Sequence, residues 1–401
     1  MTATEPALTF PLPEGPLSTP APGYEELRAR CPYHRVLTAA GDEAIMLLGF
    51  ADAAAVLNDR RMSHDLTAPG AARMFKGRSF YDDPQALINM EGPEHLRLRR
   101  IVASAFTPRR IHTWEPTIRE VAGQLLDSMR KAGPPRDLVV DYSFQLPVTI
   151  ICRLLGVPEA DAPRFRRWTE AFLTVSRMSL DERLVQVAQF FEYIKELIEA
   201  HRAAPGADLI DRLIEARDDE DRLSEDELAV MVITLIAAGN ETTSNALGRC
   251  VLNLLTDDRV RWKQLRTDRE LIPAAVDELL RYSPPSTSGM LRLATEEVEL
   301  PTVTIRAGQT VLLTAAALRD PAAYPDPDTI RFDRDAPTQL IFGGGAHYCL
   351  GAHLAKAELR IGLETLLERL PELRLDVEPE EVRFSGGDLL TTLVSLPVSW
   401  N

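Results

Sequence analysis

The chain has 401 residues, of which 45% are apolar and 26% are charged, an ordinary composition for a globular protein. Its formal charge of −15 argues against nucleic acid as a main partner. The N-terminus lacks the basic and apolar regions of a signal peptide, and the longest uncharged apolar run, Leu228 to Gly239, is too short to span a bilayer. We therefore expect a soluble, cytoplasmic protein that binds neither nucleic acid nor a membrane.

The first part of the chain predicts mixed structure. Residues 1–22 are rich in proline and predict an irregular N-terminal arm, and residues 23–401 predict a single domain. Two short strands, Val36–Thr38 and Ala44–Leu48, flank a tight turn. Residues 63–90 then show no periodicity, and a loop of this length inside a compact domain is usually functional or disordered.

Helical periodicity dominates from Glu94 to about residue 282, with predicted helices at Glu94–Phe106, Trp114–Lys131, Leu146–Leu155, Ala160–Val175, Asp181–Ala204 and Leu209–Arg217. The connector Ser176–Leu180 is a natural hinge for a lid. The longest helix, Leu223–Leu255, begins with a capping box at Ser224 and would measure about 50 Å at ~1.5 Å per residue. Its middle is apolar on most faces, which predicts a buried central helix.

Beyond residue 282 the pattern changes to short strands, predicted at Val298–Leu300, Val303–Ile305 and Thr310–Leu313. A stretch rich in proline and aspartate, Pro321 to Pro337, predicts an ordered meander. A helix ending near Leu370 follows, and Phe384–Leu396 has strand-like flanks around a glycine break. Together these elements predict a mainly α fold with small β-sheets (α+β), organised as one domain.

A glycine-rich loop near the C-terminus carries the most reactive candidate of the chain: Phe342-Gly343-Gly344-Gly345-Ala346-His347-Tyr348-Cys349-Leu350-Gly351. Three glycines let the backbone turn sharply and approach a flat object closely. Cys349 lies at the start of a predicted helix, where the macrodipole favours a thiolate. Such a thiolate could be a nucleophile, a redox thiol or the axial ligand of a haem. The other cysteines lack paired spacing and are interpreted as small buried hydrophobes in a reducing compartment: Cys31, Cys152 and Cys250.

Polar residues interrupt the apolar middle of the central helix at Ala238-Gly239-Asn240-Glu241-Thr242-Thr243. One interpretation is a packing notch, in which a threonine bonds back to an earlier carbonyl. The other is a local widening of the helix where dioxygen sits above a metal, with an acid and an alcohol in tandem to relay protons. The residues alone leave both interpretations open.

These two stretches and Glu278-Leu279-Leu280-Arg281 closely resemble three motifs of the cytochrome P450 family, in its soluble bacterial class of the actinomycete biosynthetic type. The resemblance covers roughly residues 20–398. It implies the P450 fold, with the long central helix over a haem b (iron protoporphyrin IX) whose axial metal ligand is the Cys349 thiolate. It also implies that Thr242 is the alcohol and Glu241 the acid that deliver protons to dioxygen.

The resemblance implies further roles around the haem. Phe342 would pack near the proximal haem face, and Gly343 belongs to the turn whose backbone N–H groups point toward the sulfur. Four residues would supply cations or hydrogen-bond donors to the two haem propionates: His95, Arg99, Arg292 and His347.

A structural triad is the third implied feature. Taken alone, Glu278 and Arg281 are an ordinary i,i+3 pair, worth less than ~1 kcal/mol at a surface. In the family this pair holds the meander through a second arginine. Arg334 fits that place best, and Arg331 remains the alternative because it directly precedes a phenylalanine. The stretch Leu318-Arg319-Asp320-Pro321 departs from the family pattern, because it has leucine where an asparagine is usual.

The implied function is a haem-thiolate monooxygenase that takes two electrons from a ferredoxin and a ferredoxin reductase. It would activate dioxygen and hydroxylate or otherwise oxidise an apolar, moderately sized organic substrate in secondary-metabolite biosynthesis. We expect a monomer. The same haem chemistry used for oxidative coupling or ring closure is the alternative, and a non-catalytic haem-binding sensor is a remote one.

Two other chemistries fit the cysteine loop less well. A zinc site could be built from His347, Cys349 and His353, but it would lack a fourth ligand. A cysteine nucleophile with His347 as its base would lack a residue to orient that base, and it would leave the polar stretch of the central helix unexplained.

The surface and the pocket carry two further expectations. An arginine cluster in an acidic protein favours docking of an acidic ferredoxin: Arg97, Arg100, Arg109 and Arg110. Substrate contacts are expected from residues 63–90, Leu173–Met178, Pro285–Leu291 and Leu389–Leu393. Their side chains are Met74, Phe75, Phe80, Met90, Met178, Met290 and Leu390, with hydroxyls at Ser286, Thr287, Ser288 and Thr391.

Overall fold

The computed structural model describes residues 8–76, 83–173, 178–218, 223–286, 289–335, 339–385 and 390–401. Phe80, Thr287, Ser288 and Leu389 lie outside these ranges, as do Ser176 and Arg177 of the predicted hinge Ser176–Leu180. The α-helices are α1 Gly23–Arg30, α2 Phe50–Asn58, α3 Gly92–Ala103, α4 Pro108–His112, α5 Glu115–Ala132, α6 Gln145–Leu155, α7 Ala162–Leu173, α8 Leu180–Ala203, α9 Leu209–Asp218, α10 Glu225–Leu255, α11 Val260–Thr267, α12 Ile272–Tyr282 and α13 Ala352–Arg369.

Short strands form small sheets beside the helices: β1 Leu8–Thr9, β2 Tyr33–Leu37, β3 Glu43–Leu47, β4 Met62–Ser63, β5 Arg136–Asp137, β6 Met290–Ala294, β7 Val298–Glu299, β8 Thr304–Ile305, β9 Thr310–Leu313, β10 Arg374–Leu375, β11 Phe384–Ser385, β12 Thr392–Leu393 and β13 Pro397–Ser399. The largest sheet has the order β1-β2-β3-β9-β6-β4, with β1–β2 and β3–β9 parallel and the other pairs antiparallel. The mainly α fold with small sheets is thus confirmed.

The central helix α10 organises the helical core. Its capping box is formed as predicted: the Glu227 N–H donates to the Ser224 hydroxyl at 3.1 Å, and the Ser224 N–H donates to the Glu227 carboxylate at 2.6 Å. The helix is buried along most of its 31 residues and packs against α6, α7, α8, α12 and α13. Its largely apolar composition follows from this position, because most of its surface is packed against other elements.

The N-terminal arm is not irregular throughout, which corrects the prediction for residues 1–22. Leu8–Thr9 pairs in parallel with β2, and Phe10 is only 1% exposed in a core cluster with Tyr24 and Met46. A two-residue strand is too short for an alternating pattern to appear in the sequence. The division into an arm and one domain from residue 23 stays a prediction.

The predicted strands differ in how well they match. Thr310–Leu313 is found with the predicted bounds, and the hairpin of β2 and β3 is shifted by one to three residues. The prediction missed β6, Met290–Ala294, because its strand residues directly follow a loop rich in proline and serine. In the part of the chain that the structure describes, no helix combines the length and apolarity that a bilayer crossing requires.

Candidate active site

The cysteine loop is shaped by its glycines and by its own backbone. The Cys349 N–H donates to the Phe342 carbonyl at 2.8 Å and closes the loop. Gly343 and Gly345 have φ angles of 72° and 59°, in the left-handed region that favours glycine. A Cβ on Gly345 would lie 2.7 Å from the Leu57 carbonyl oxygen. The close approach at Gly345 is therefore to the end of α2, and the expected approach of the loop to a flat ligand stays a prediction.

Cys349 has exposed surface. Burial of the thiol by the surrounding protein nevertheless raises its pKa, and the N–H group of Gly351, the charge of Arg99 and the N–H group of Ala352 oppose this shift. Helix α13 begins at Ala352, so these N–H groups belong to the turn that leads into its N-terminus. The same donors would stabilise the sulfur as a thiolate when a metal takes the place of its proton.

Burial affects two other thiols of the structure more strongly. Cys152 and Cys250 are buried, and burial raises the pKa of each thiol to about 12. Neither can ionise near neutral pH. Cys349 is the one cysteine in the described residues that is classed as exposed, and this singles it out for chemistry.

Three histidines stack beside the cysteine loop. The His347 ring lies between those of His64 and His95, with ring centroids 3.8 Å and 4.1 Å apart. Glu91 contacts two members of the stack. Its carboxylate accepts a hydrogen bond from the backbone N–H of His64 at 2.6 Å and lies 3.4 Å from His347 Nε2. His95 comes from α3, His64 follows β4 and His347 belongs to the loop, so three distant segments meet here.

Two imidazoles of the stack, those of His64 and His95, resist protonation. Burial, with neighbouring positive groups, lowers the pKa of His95 to about 4 and that of His64 further still. In both rings Nε2 is buried and has no hydrogen-bond partner among the described residues. A buried polar atom without a partner is costly, so these nitrogens mark a place that is built for a ligand.

Two arginines complete the cluster. Arg99, one turn after His95 on α3, donates to the Tyr348 carbonyl beside the cysteine. Arg292 is 4% exposed on β6 and is close enough to His64 to oppose its protonation. All four residues predicted to face haem propionates therefore gather around the cysteine loop. The site thus contains a free thiol, two guanidiniums and ring nitrogens without hydrogen-bond partners among the described residues. This set of groups fits an iron porphyrin that carries two carboxylates.

The sequence did not single out His64. It lies at the start of residues 63–90, which carry no periodic signal, and its partners are at positions 91, 292 and 347. The only usable signal was chemical: a Ser63-His64-Asp65 run in a chain with just seven histidines.

The polar stretch of α10 supports parts of both interpretations. The helix is continuous, and the Thr242 hydroxyl donates to the Ala238 carbonyl at 2.8 Å, which is the back-bonded packing arrangement. Asn240 is fully buried, however, and neither of its amide atoms has a partner within the described part of the chain. Glu241 is 8% exposed and accepts from the Thr392 hydroxyl at 3.4 Å. Packing alone does not account for these groups.

The predicted triad residues meet in a buried cluster. Arg281 Nε and Nη2 each donate to the Glu278 carboxylate at 2.8 Å, and Arg334 Nε lies 3.2 Å from both of its oxygens. Arg331 contacts Glu278 only through its backbone N–H at 3.0 Å, and its guanidinium pairs with Asp333 in solvent. Of the two candidates, Arg334 is thus the one whose side chain faces Glu278.

The departure at Leu318 has a simple structural explanation. Arg281 Nη1 donates to the backbone carbonyls of Leu318 and Pro327, each at 2.9 Å. Because the contact uses the carbonyl, the side chain at position 318 is not needed for it.

The zinc interpretation finds no geometric support. Among the histidine, cysteine and acidic side chains of the described ranges, one group has ligand atoms close enough together to hold a metal ion. This group is His201, Asp208 and Asp211, between α8 and α9. His353 instead lines a surface depression of about 330 Å³ between α4, α12 and α13.

A thiol poised before a helix and a cluster of imidazoles and guanidiniums define the site as one suited to a haem-thiolate protein. A family profile described as "Cytochrome P450" matches residues 165–383. The mycinamicin IV hydroxylase/epoxidase of Micromonospora griseorubida is 42% identical over 410 residues, which covers 100% of each chain. The nocardicin C N-oxygenase of Nocardia uniformis subsp. tsuyamanensis is 41% identical over 383 residues, 94% of this chain and 95% of that one.

Solved structures give the same answer. The LnmA cytochrome P450 hydroxylase from the leinamycin biosynthetic pathway of Streptomyces atroolivaceus S-140 matches with a TM-score of 0.88 at 38% identity, over 98% of this chain and 100% of that chain. The chain belongs to the cytochrome P450 family. It is a monooxygenase, and membership of the family implies a haem with a cysteine thiolate ligand.

Proposed function

We propose that Cys349 binds the iron of a haem b and that a cationic and imidazole cluster receives the propionates: His64, His95, Arg99, Arg292 and His347. The unpartnered Nε2 atoms of His64 and His95 carry this proposal, because they sit beside an exposed thiol that two backbone N–H groups favour as a thiolate. The enzyme would be a cytoplasmic monomer supplied with electrons by a ferredoxin and its reductase.

The bound haem would supply the activation of dioxygen with two electrons. The residues of the protein would deliver the protons and would exclude water from the site. Thr242 has a partly exposed hydroxyl that is oriented by its bond to Ala238, and its oxygen can still accept a proton donor. Glu241 is the neighbouring buried acid. This pair can hand protons on in sequence, which is general acid catalysis.

Replacing Thr242 with alanine is expected to uncouple the enzyme. Alanine keeps the helix, so haem binding and substrate affinity should persist. Without the alcohol, product per electron pair should fall by about tenfold or more, and hydrogen peroxide should rise to match. Product and peroxide measured against consumed NADPH test this, and Thr242→Ser, which keeps a hydroxyl, serves as the control. Unchanged coupling in Thr242→Ala would contradict the proton role.

The docking surface for the electron donor is proposed at α3 and α4. Arg97 pairs with Glu94 at 2.7 Å and Glu227 at 2.6 Å, so its charge is used within the protein. The remaining members of the cluster are exposed: Arg100, Arg109 and Arg110. Arg109 and Arg110 lie in the chain between Pro108 and Ile111, which line the depression beside the N-terminal turns of α13, the helix that starts just after Cys349. An acidic ferredoxin seated there would lie close to the iron ligand.

Neutralising this surface should slow electron transfer in a salt-dependent way. In Arg100→Gln/Arg109→Gln the rate of reduction by ferredoxin should fall by about tenfold at low ionic strength, and the difference should shrink as salt screens the charges. Arg130→Gln/Lys131→Gln is a matched control, because it also removes two exposed positive charges. These two residues lie at the C-terminal end of α5, which contacts Arg369 at the end of α13 farthest from Cys349. Equal rates for both double variants at low salt would refute the proposed surface.

The substrate is proposed to be an apolar, moderately sized secondary metabolite, hydroxylated or otherwise oxidised. Leu66, Met74, Ile88 and Met290 line a cavity next to His64 and Arg292, so the wall nearest the proposed haem is mostly apolar. The similarity to a mycinamicin and a nocardicin oxygenase supports the metabolite class. The Thr391 hydroxyl, which we expected at the substrate, donates instead to Glu14 at 2.6 Å. Compounds of this class should shift the Soret band of the haem-loaded enzyme.

A further inference from the structure

One residue of the central helix fastens the start of β12. Asn245 Nδ2 donates to the Thr391 carbonyl at 2.9 Å, and the Leu393 N–H donates to Asn245 Oδ1 at 3.0 Å. These two bonds flank Thr392 on both sides. Asn245 is 3% exposed, so both bonds are shielded from water and are costly to break. The backbone of Thr392 is thereby held at a fixed place against α10.

A buried arginine supports this clamp, by which we mean the two hydrogen bonds of Asn245 to Thr391 and Leu393. Arg249, one turn after Asn245, has no exposed surface and donates to Asn245 Oδ1 at 3.3 Å and to the Thr391 carbonyl at 2.5 Å. It also reaches the N-terminal arm, where it donates to the Ser18 carbonyl at 3.0 Å. Since Arg249 offers only donors, it fixes which end of the Asn245 amide faces it. Arm, central helix and β12 are therefore one hydrogen-bonded unit.

The side chain held by this unit points at the proposed proton-delivering acid. Glu241 is one turn before Asn245 and so lies on the same face of α10. The Thr392 hydroxyl donates to Glu241 Oε1 at 3.4 Å. A hydroxyl in this position restricts the rotamer of the carboxylate and stabilises its charged form.

We propose that Thr392, clamped by Asn245 and Arg249, is a positioning residue for Glu241. The inference rests on the proposed role of Glu241 in proton delivery. It assigns to the strand pair β11–β12 a function that the central helix alone does not supply. The hydroxyl is not needed to form the strand, because the Thr392 N–H and carbonyl already bond to Ser385 and β-branched valine fits a strand equally well.

The test compares Thr392→Val with Thr392→Ser and with Glu241→Gln in the haem-loaded enzyme. Thr392→Val should raise the peroxide released per electron pair by roughly fivefold and increase the solvent deuterium isotope effect on product formation, and Thr392→Ser should restore both. A readout independent of turnover is the CO stretching band of the ferrous–CO complex, which should change in Thr392→Val in the same direction as in Glu241→Gln.

Thr302→Val is the matched control. Its hydroxyl also donates to a buried carboxylate, that of Asp52 at 2.5 Å, but far from α10 in sequence and contacts. It should leave the CO band and the peroxide yield as in the wild type. Thr392→Ala is the second variant, in case valine disturbs the strand, and it should behave as Thr392→Val does.

The outcomes separate the inference from the function on which it rests. If Glu241→Gln uncouples the enzyme while both Thr392→Val and Thr392→Ala retain the wild-type coupling and CO band, Thr392 does not position Glu241. If Glu241→Gln itself leaves coupling and the CO band unchanged, the proposed role of Glu241 fails and the inference falls with it.

Discussion

Cys349→Ala is expected to abolish monooxygenase activity and the red-shifted Soret band of the ferrous–CO complex. That band arises from a thiolate opposite the CO, and no other thiol of the described residues can replace it, since Cys152 and Cys250 are buried and protonated and Cys31 lies in the linker between α1 and β2. The loss should be complete, because the thiolate is a ligand and not a modulator of the reaction. Absorption spectra before and after reduction under CO measure it directly.

Two further variants make the result specific. Cys349→Ser should retain some haem without the red-shifted band, which separates loss of the ligand from loss of the pocket. Cys152→Ala removes a thiol from the core at a small packing cost and should keep both the band and the activity. A red-shifted band that survives in Cys349→Ala would show that another residue is the ligand.

The parts of the site that the sequence predicted are those carried by local spacing. Cys349 and the glycines of its loop lie within ten consecutive residues that lead directly into a helix. Glu278 and Arg281 are three residues apart and therefore meet on one face of a helix. His95 and Arg99 are likewise one turn apart. In each case chain geometry alone decides that the residues meet, so a sequence pattern is sufficient.

The parts that escaped prediction depend on tertiary contacts. Thr392 meets Glu241 across 151 residues of chain, and Asn245 meets the Thr391 carbonyl across 146. His64 and His347 also come from distant parts of the chain, and the end of α2, shortly before His64, packs against the cysteine loop at Gly345. No periodicity encodes such contacts. The same reason explains why the glycines were assigned to a ligand contact, when one of them serves the packing of the loop on α2.

The meander is expected to depend on Arg334 and hardly at all on the guanidinium of Arg331. Arg334 lies over the buried carboxylate of Glu278 and also donates to the carbonyls of Pro325, Asp326 and Thr329. Arg334→Ala removes these bonds together and leaves Arg281 as the one guanidinium on Glu278 among the described residues. We expect a loss of about 3 kcal/mol or more in the free energy of unfolding, together with poor haem retention.

Arg331→Ala is the matched control for this change. It removes an arginine three residues away in the same stretch, yet it keeps the backbone N–H that bonds to Glu278. The guanidinium that is lost pairs with exposed Asp333. Thermal midpoints and the ratio of Soret to protein absorbance should fall for Arg334→Ala and stay near the wild type for Arg331→Ala. Arg334→Lys should not restore the stability lost in Arg334→Ala. A lysine ammonium lacks the planar fork of donors with which a guanidinium contacts the carboxylate and several carbonyls at once. Equal losses at 331 and 334 would mean that the meander responds to total charge, and that the geometry at Glu278 is not what holds it.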